Sequence, residues 1–262
     1  MPDPVPPGAW IGFAALFGAL IGSFLNVCIL RWGAEPRESV VRPPSRCPTC
    51  GRGLRWHENI PVLSWLALRG RCRGCRTRIS VQYPLVELAV ATLWALMAWR
   101  SGPSLEAVRG AVFATTLLGI AMTDARSYLI PDEFSLGGLV LGFVFALAGG
   151  WHALGTAVLG AVVGFGLLWL VAVGGEWFFK QEAMGGGDIK MMAMIGAFLG
   201  WKGTLLTVFL GALAGSLVFV PLAIAGSKRL VPFGIFLALG AAATYLVGPG
   251  ILEWYGAYLR NV

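Results

Sequence analysis

The chain has 262 residues, of which 57% are hydrophobic and only 13% are charged, and its mean hydropathy is +0.74. Because a soluble domain carries about a quarter charged residues, this composition excludes an ordinary soluble globular protein. The apolar residues form runs that approach or exceed the roughly 18 residues needed to cross a bilayer. We therefore expect an all-α polytopic membrane protein.

The first apolar run covers residues 9–30 and is predicted to be the first transmembrane helix. Residues 1–8 contain Asp3 and no basic residue, whereas a secretory signal begins with a basic segment. The first positive charge, Arg31, comes directly after the run. We expect a retained helix whose N-terminus lies outside the cytoplasm.

Residues 31–82 are the most strongly charged part of the chain and contain eleven of its twenty Lys and Arg residues, against three acids. Short Arg-rich loops stay in the cytoplasm, so this segment is predicted to be a small cytoplasmic domain inserted after the first helix. Topology and contact with anionic lipid headgroups are the simplest explanation of the charge. Nucleic-acid binding is a weaker alternative, because nothing else in the chain supports it.

Two Cys-x-x-Cys motifs lie inside this loop, Cys47/Cys50 and Cys72/Cys75. Such spacing favours zinc, and four thiolates in a tetrahedron would form a closed structural site. A pair of disulfides would need an oxidising compartment, which a cytoplasmic loop does not offer. A redox motif would need a thioredoxin-like fold, for which the loop is too short. We expect a zinc-binding domain, with Cys28 a small buried side chain in the first helix.

A transmembrane core is predicted over residues 83–250, which brings the expected number of transmembrane helices to about eight. The run 189–199 is short for a full crossing. Residues 251–262 are predicted to form an interfacial tail, because they contain Trp254, Tyr255 and Tyr258. With eight crossings, the polar segments around 124–131 and 180–190 and the basic pair Lys228-Arg229 lie on the side of the Arg-rich loop. The predicted spans after the loop are 83–99, 105–122, a span from about Asp132 to Gly149, 154–178, 189–199, 204–225 and 231–247.

Small and polar residues within the spans indicate how the helices pack. Pairs of glycines four apart, such as Gly160/Gly164 and Gly196/Gly200, let helices approach closely in lipid. Three polar residues are expected to form hydrogen bonds inside the bundle: Ser23, Asn26 and Glu87.

Two aspartates stand at the ends of apolar runs, Asp124 in Met-Thr-Asp-Ala-Arg and Asp188 in Gly-Gly-Gly-Asp-Ile-Lys. Carboxylates at membrane depth are costly and are therefore usually functional. Two of them suit peptide hydrolysis, in which one deprotonates water and the other, protonated, polarises the scissile carbonyl. For either aspartate alone, a helix cap at the water boundary is the alternative.

The residues beside Asp188 are candidates for supporting roles. Gly185, Gly186 and Gly187 would allow unusual backbone angles and the close approach of an extended substrate. Lys190 would help to keep Asp188 ionised or would anchor the helix at the interface. Asp132 is expected to be the N-cap of the helix that follows it.

Seven short stretches carry a family resemblance: residues 22–27, 58–61, 69–72, 83–87, 124–132, 182–190 and 232–234. Through them the chain resembles, in the same order from about residue 18 to 240, the type IV prepilin peptidases, which are G-x-G-D membrane aspartyl proteases. The resemblance implies Asp124 and Asp188 as the catalytic aspartates. It also implies the four loop cysteines as zinc ligands.

The activity implied by this resemblance is that of a bifunctional enzyme of the bacterial inner membrane. Such enzymes remove the leader peptide of type IV prepilins and type II secretion pseudopilins on the cytoplasmic side. They then methylate the new N-terminal amine with S-adenosylmethionine. No residue is assigned to this methyl donor. The zinc-binding loop with residues 58–61 is its one candidate location, as the sole sizeable cytoplasmic region.

Three alternatives stay open. A G-x-G-D protease of the presenilin or preflagellin type would cut other substrates without methylation and would lack the zinc loop. A transporter would use the aspartates as an ion relay, although they lie at one membrane face and no inverted repeat is evident. A membrane-tethered zinc adaptor would recruit a partner through the basic loop and would not need the aspartates.

Overall fold

The structure is a computed structural model that describes residues 7–34, 36–181, 184–225 and 232–260. Within these residues it is all-helical, as predicted, with two isolated β-bridges. Asp3, Lys228, Arg229, the start of the predicted span 231–247 and part of the stretch 182–190 lie outside the described residues. The elements are α1 (Pro7–Trp32), a short 3-10 helix (Trp56–Glu58), α2 (Leu63–Ala67), α3 (Gln82–Ser101), α4 (Leu105–Ser127), α5 (Asp132–Ala148), α6 (Trp151–Phe179), α7 (Gly186–Ile224) and α8 (Phe233–Arg260).

Five of these helices, α1, α4, α6, α7 and α8, are long and apolar enough to cross a membrane, judged by length and composition. The chain is thus a multi-pass membrane protein, but the predicted count of about eight spans is not confirmed. Two predicted spans form helices outside this set of five, α3 and α5. Helix α5 has 17 residues, just below the length that usually crosses the hydrocarbon unaided.

Helix α7 has 39 residues and consists of two helical parts that meet at a break at Gly200, which lies between the predicted spans 189–199 and 204–225. The backbone of Gly200 has φ 67° and ψ 175°, a conformation that a residue with a side chain rarely adopts. Just before this break, a Cβ atom added to Gly196 would clash with the backbone of Gly160 on α6. The glycines therefore bring the two backbones into contact, as their spacing predicts.

The first half of α7 is the most deeply buried stretch of its unit. Met191, Met192, Met194 and Ile195 have no exposed surface, and α7 contacts α5, α6 and α8. A helix that is apolar all round is expected at the centre of a bundle. The end that carries Asp188 is less covered, because Gly185 and Gly186 are exposed.

The helices belong to two compact units, which divide between Thr115 and Thr116. In the first unit, α1 packs closely on α3, because a Cβ atom at Gly22 would lie 2.8 Å from the Cα of Glu87. In the second unit, α8 extends to Arg260 through Pro249. The predicted tail at 251–262 is therefore, as far as residue 260, the end of this helix, with Trp254 and Tyr258 exposed on it.

Candidate active site and metal centre

Asp124 lies near the C-terminal end of α4, with only 5% of its surface exposed. The backbone amides of Gly234 and Ile235, at the start of α8, lie within hydrogen-bonding range of its carboxylate. A Cβ atom at Gly234 would lie 2.7 Å from Asp124 Oδ2, which is closer than van der Waals contact allows. The start of α8 thus rests directly on this carboxylate, and a glycine makes that approach possible.

Asp188 lies in the first turn of α7, and its backbone amide donates a hydrogen bond of 3.2 Å to the Gly185 carbonyl. Its carboxylate is close enough to Asp124 for the two charges to interact. Asp124 Oδ2 and Asp188 Oδ1 are both buried, and within the described residues neither has a hydrogen-bond partner. Because buried polar atoms are rarely left unpaired, these two oxygens mark a place for water or a polar substrate group.

The three glycines before Asp188 do not supply the unusual backbone angles expected from the sequence. None of them lies in the left-handed region, and α7 already begins at Gly186. Gly187 instead provides space, because a Cβ atom there would lie 2.9 Å from the Cβ of Ile130. A Cβ atom at Gly186 would have no neighbour within 4 Å.

Lys190 does not turn toward Asp188, contrary to one of the two roles expected for it. Its Nζ lies 2.7 Å from Oδ1 of Asp132 on α5, and both side chains are partly exposed. The reason is helical geometry, since residues two apart on a helix point to different sides. Asp132 is also not the N-cap: Pro131 holds that position, without a side-chain capping bond.

Ile130 is a site residue to which the sequence assigned no role. It contacts both glycines beside the aspartates, because added Cβ atoms at Gly187 and Gly234 would each lie 2.9 Å from its side chain. Ile130 thus packs against the starts of both α7 and α8. The signal in the sequence was the run 124–132 itself, which ends in Ile-Pro-Asp.

The four loop cysteines come together, as their spacing predicts, in the first unit. Their sulfur atoms all lie within 4.8 Å of one another, and Cys47 Sγ lies 3.8 Å from Cys75 Sγ. Four thiolates at the usual Zn–S distance of about 2.3 Å are separated by about 3.8 Å in a tetrahedron. This group, the cysteine cluster (Cys47, Cys50, Cys72 and Cys75), could therefore hold one metal ion. No disulfide bond links any two of the cysteines in the described residues.

The two Cys-x-x-Cys motifs fold in the same way. The amides of Gly51 and Arg76 donate to the carbonyls of Cys47 and Cys72, four residues before them. Both donors have positive φ, 69° and 61°. Each motif is closed by an isolated antiparallel bridge: Arg46 with Gly53, and Arg71 with Arg78. This repeated turn aims both pairs of thiols at one point.

The backbone around the cluster favours thiolates at three of the four positions. Amides of the residues that follow each sulfur lower the pKa of Cys47, Cys72 and Cys75. At Cys50 the amide of Arg52 acts in the same direction, but contacts with the neighbouring thiols outweigh it and raise the pKa to about 11. The raised pKa keeps a proton on Cys50. A metal ion at the centre of the cluster would displace this proton, because metal binding requires thiolates.

Glu58 stabilises the loop beside the cysteine cluster through contacts with neighbouring arginines. Its side chain is 2% exposed, accepts a hydrogen bond of 3.0 Å from the Arg55 amide and pairs with Arg52. Arg73 lies 3.8 Å away. The Arg55 amide, followed by the Arg52 guanidinium, lowers the pKa of Glu58 and so keeps it ionised.

Asn26 and Glu87 form hydrogen bonds inside the first unit, as predicted, although Asn26 Oδ1 is buried and has no partner among the described residues. Asn26 donates to the carbonyls of Tyr83, at 3.0 Å, and Gly22, at 3.3 Å. Glu87 accepts a hydrogen bond of 2.7 Å from the amide of Val62, and the Ser23 hydroxyl lies near its carboxylate. These bonds attach the loop that follows α1 to the beginning of α3.

Comparison with known proteins identifies relatives of the whole chain. Residues 16–101 match the model of the Bacterial Peptidase A24 N-terminal domain, and residues 111–220 match that of the Type IV leader peptidase family. The chain is 39% identical to the prepilin leader peptidase/N-methyltransferase of Pseudomonas putida, with 94% of this chain and 93% of the relative covered. It is 37% identical to that of Aeromonas hydrophila, with 95% and 94% covered. No solved structure matches. The chain therefore belongs to the type IV leader peptidase family.

Proposed function

We propose that this protein is an intramembrane aspartyl peptidase that removes the leader peptide of type IV prepilins, with Asp124 and Asp188 as its catalytic residues. The observation that carries the proposal is that these two carboxylates lie close enough for their charges to interact, in a member of this family. The alternatives are not favoured. A presenilin-type protease would not need a cysteine cluster, and an adaptor would not need paired aspartates.

The arrangement suits general acid–base hydrolysis without a metal at the reacting atoms. Asp124 Oδ2 and Asp188 Oδ1 are both buried and unpaired within the described part of the chain, so each can accept a hydrogen bond from the attacking water or the substrate. The ionised carboxylate takes a proton from this water as its oxygen attacks the scissile carbonyl carbon, while the protonated carboxyl donates a hydrogen bond to the carbonyl oxygen. The start of α8 packs against the Asp124 carboxylate, because a Cβ atom at Gly234 would lie 2.7 Å from Oδ2, and so restricts its orientation during this step.

The second proposed activity is methylation of the N-terminal amine that cleavage releases, with S-adenosylmethionine as the methyl donor. The names of the relatives, prepilin leader peptidase/N-methyltransferase, support this activity. The donor would supply an electrophilic methyl group to the unprotonated amine. Its binding residues are not assigned.

The cysteine cluster is proposed to bind structural zinc. Four sulfurs leave no coordination position open for a reactant, so the ion would hold the loop together and take no part in cleavage. The proposed organisation is a first span at 9–30, a cytoplasmic zinc-binding domain at 31–82, a peptidase core at 83–250 and a tail at 251–262. The proposed setting is the bacterial inner membrane, with pseudopilins as further substrates, membrane lipid around the spans and no nucleic acid.

The peptidase proposal is tested by incubating purified protein in detergent with a prepilin. We expect Asp124→Asn and Asp188→Asn each to abolish shortening of the substrate, because either change removes the acid–base pair. Glu106→Gln is the matched control, since it removes an exposed carboxylate from the same helix as Asp124. Cleavage by either aspartate variant at the wild-type rate would refute the assignment.

The metal proposal is tested by elemental analysis of the Cys47→Ser, Cys72→Ser double variant. It should lose about one zinc ion per chain, whereas Cys28→Ala, which alters the cysteine in α1, should keep it. Equal zinc in both variants would exclude this site. Methyl transfer is followed separately with a labelled donor and a pilin that has already been cleaved, so that loss of cleavage does not hide it.

A further inference from the structure

A cavity of about 580 Å³ opens in the loop between α1 and α3, and it is lined mainly by arginine. Its walls are Ala67, Leu68, Arg69, Arg71, Arg73 and Arg76. The cavity belongs to the first unit and contains neither of the aspartates. Four like charges around one cavity repel one another, so the site favours an anion that neutralises them.

Little inside the protein offsets these charges. Arg73 has one carboxylate nearby, Glu58 at 3.8 Å, which is already paired with Arg52. Within the part of the chain that the structure describes, Arg69, Arg71 and Arg76 have no ion pair and no side-chain hydrogen bond. Three guanidinium groups are therefore available to a ligand, and guanidinium binds phosphate oxygens in pairs.

The backbone of the cavity wall is strained at two of the arginines. Arg69 has φ 52° and Arg76 has φ 61°, in the left-handed region that glycine normally occupies. The equivalent position to Arg76 in the first Cys-x-x-Cys motif is Gly51. Side chains kept at strained positions point to a function that requires them.

An apolar surface continues from the cavity wall. Helix α2 ends at Ala67, which lines the cavity, and it exposes Leu63 and Leu66 by 64% and 58%. Trp56, shortly before this helix, is 82% exposed. Exposed leucine and tryptophan beside arginine are typical of a segment that lies in the headgroup layer of a membrane.

The cavity suits neither ligand of the proposed enzyme. The methyl donor carries a sulfonium and an ammonium against one carboxylate, and the N-terminus of a cleaved pilin is an ammonium. Both are repelled by a ring of arginines. Because the chain spans a membrane, anionic lipid is the phosphate-bearing molecule always within reach. We propose that this cavity binds the phosphodiester headgroup of an anionic phospholipid, such as phosphatidylglycerol.

The proposal is tested with full-length protein in detergent and a short-chain phosphatidylglycerol, with short-chain phosphatidylcholine, which is zwitterionic and has no net charge, as the comparison. An arginine near a membrane surface contributes about fivefold to such binding, so Arg69→Gln, Arg71→Gln should bind phosphatidylglycerol about 25-fold more weakly. The control Arg42→Gln, Arg46→Gln removes the same charge from the same loop but not from the cavity or from a residue bridged to its wall. It should change affinity less than about threefold at physiological salt, where distant charges are screened.

A charge-conserving variant and the salt dependence of binding complete the test. Arg69→Lys, Arg71→Lys keeps the charge but loses the paired hydrogen bonds of guanidinium, so its affinity should lie between those of wild type and the glutamine variant. If the glutamine variant loses its metal, its weaker binding could come from an altered loop, and the salt dependence of wild-type binding is used instead. A fall in the affinity for phosphatidylglycerol between about 50 and 500 mM salt supports the proposal, and constant affinity overturns it. Equal weakening in the control variant, equal binding of phosphatidylcholine, or equally tight binding of inorganic phosphate or a short DNA duplex would each overturn the lipid site.

Discussion

The substitution Gly234→Ala tests whether the start of α8 controls the position of Asp124. A Cβ atom at residue 234 would lie 2.7 Å from Asp124 Oδ2, whereas ordinary contact begins near 3.4 Å. The carboxylate oxygen must then move by about 0.7 Å, since the other close neighbour, Ile130, lies 2.9 Å from the same point. A displacement of about 1 Å in a catalytic group costs about 100-fold in rate. We therefore expect kcat/KM for prepilin cleavage to fall about 30-fold.

The same change should affect stability much less. One added methyl group in a packed site costs about 1–3 kcal/mol, which lowers Tm by a few degrees in a chain of this size. The assay follows prepilin cleavage over time at several substrate concentrations, together with thermal unfolding in the same detergent. Gly137→Ala is the matched control, because an added Cβ atom there meets nothing within 4 Å.

Two results would refute this reasoning. If Gly234→Ala cleaves within about twofold of wild type, the Asp124 carboxylate does not depend on the start of α8. If the control loses as much activity as Gly234→Ala, the loss comes from altered helix packing and not from the position of the carboxylate.

Three further predictions concern the surroundings of the two sites. Gly187→Ala should lower the cleavage rate at least tenfold, because its Cβ atom meets Ile130. The control Gly186→Ala, whose Cβ atom meets nothing within 4 Å, should cleave within about twofold of wild type. Equal cleavage rates for the two variants would contradict this prediction. Lys190→Met should lower Tm by only a few degrees and leave the pH–rate profile of cleavage unmoved, because this lysine pairs with a half-exposed aspartate of α5; a shifted profile would show that it acts on the dyad. Glu58→Gln should lower Tm at neutral pH. Because the pKa of Glu58 lies below its ordinary value, its contribution is present above about pH 4.3 and is lost as pH falls through the lowered pKa, so the Tm difference from wild type should close in acid.

The local features of the chain could be predicted from its sequence. The Cys-x-x-Cys spacing predicted the cysteine cluster, because each pair of thiols is set by one short turn. The two aspartates could be identified because carboxylates are rare beside long apolar runs. The all-helical fold could be predicted because the apolar runs approach or exceed the length that crosses a bilayer as a helix.

Contacts between distant segments could not be predicted. Lys190 was expected near Asp188 because the two are close in sequence, but helix geometry turns it to Asp132 on α5. Gly234 stood in a motif without a role, because its close approach to Asp124 exists only after α4 and α8 have packed. The glycine run before Asp188 was interpreted through backbone freedom, whereas packing against Ile130 accounts for Gly187.

The number of spans was the least predictable feature. Hydropathy divided residues 189–225 into two runs, and the structure breaks the helix at Gly200, between them. A glycine at such a point is compatible with a loop or with a break inside a helix, and the sequence does not distinguish the two.

The burial of α7 limits how a substrate can reach Asp188. Residues from Met191 to Phe198 are enclosed by other helices, so a polypeptide cannot lie alongside this helix without separating the bundle. In the half of α7 that carries Asp188, the uncovered part is the first turn, where Gly185 and Gly186 are exposed. A pilin chain therefore has to arrive end-on, crossing the tip of α7. Peptide inhibitors that bind across this tip would need only a few residues on either side of the scissile bond.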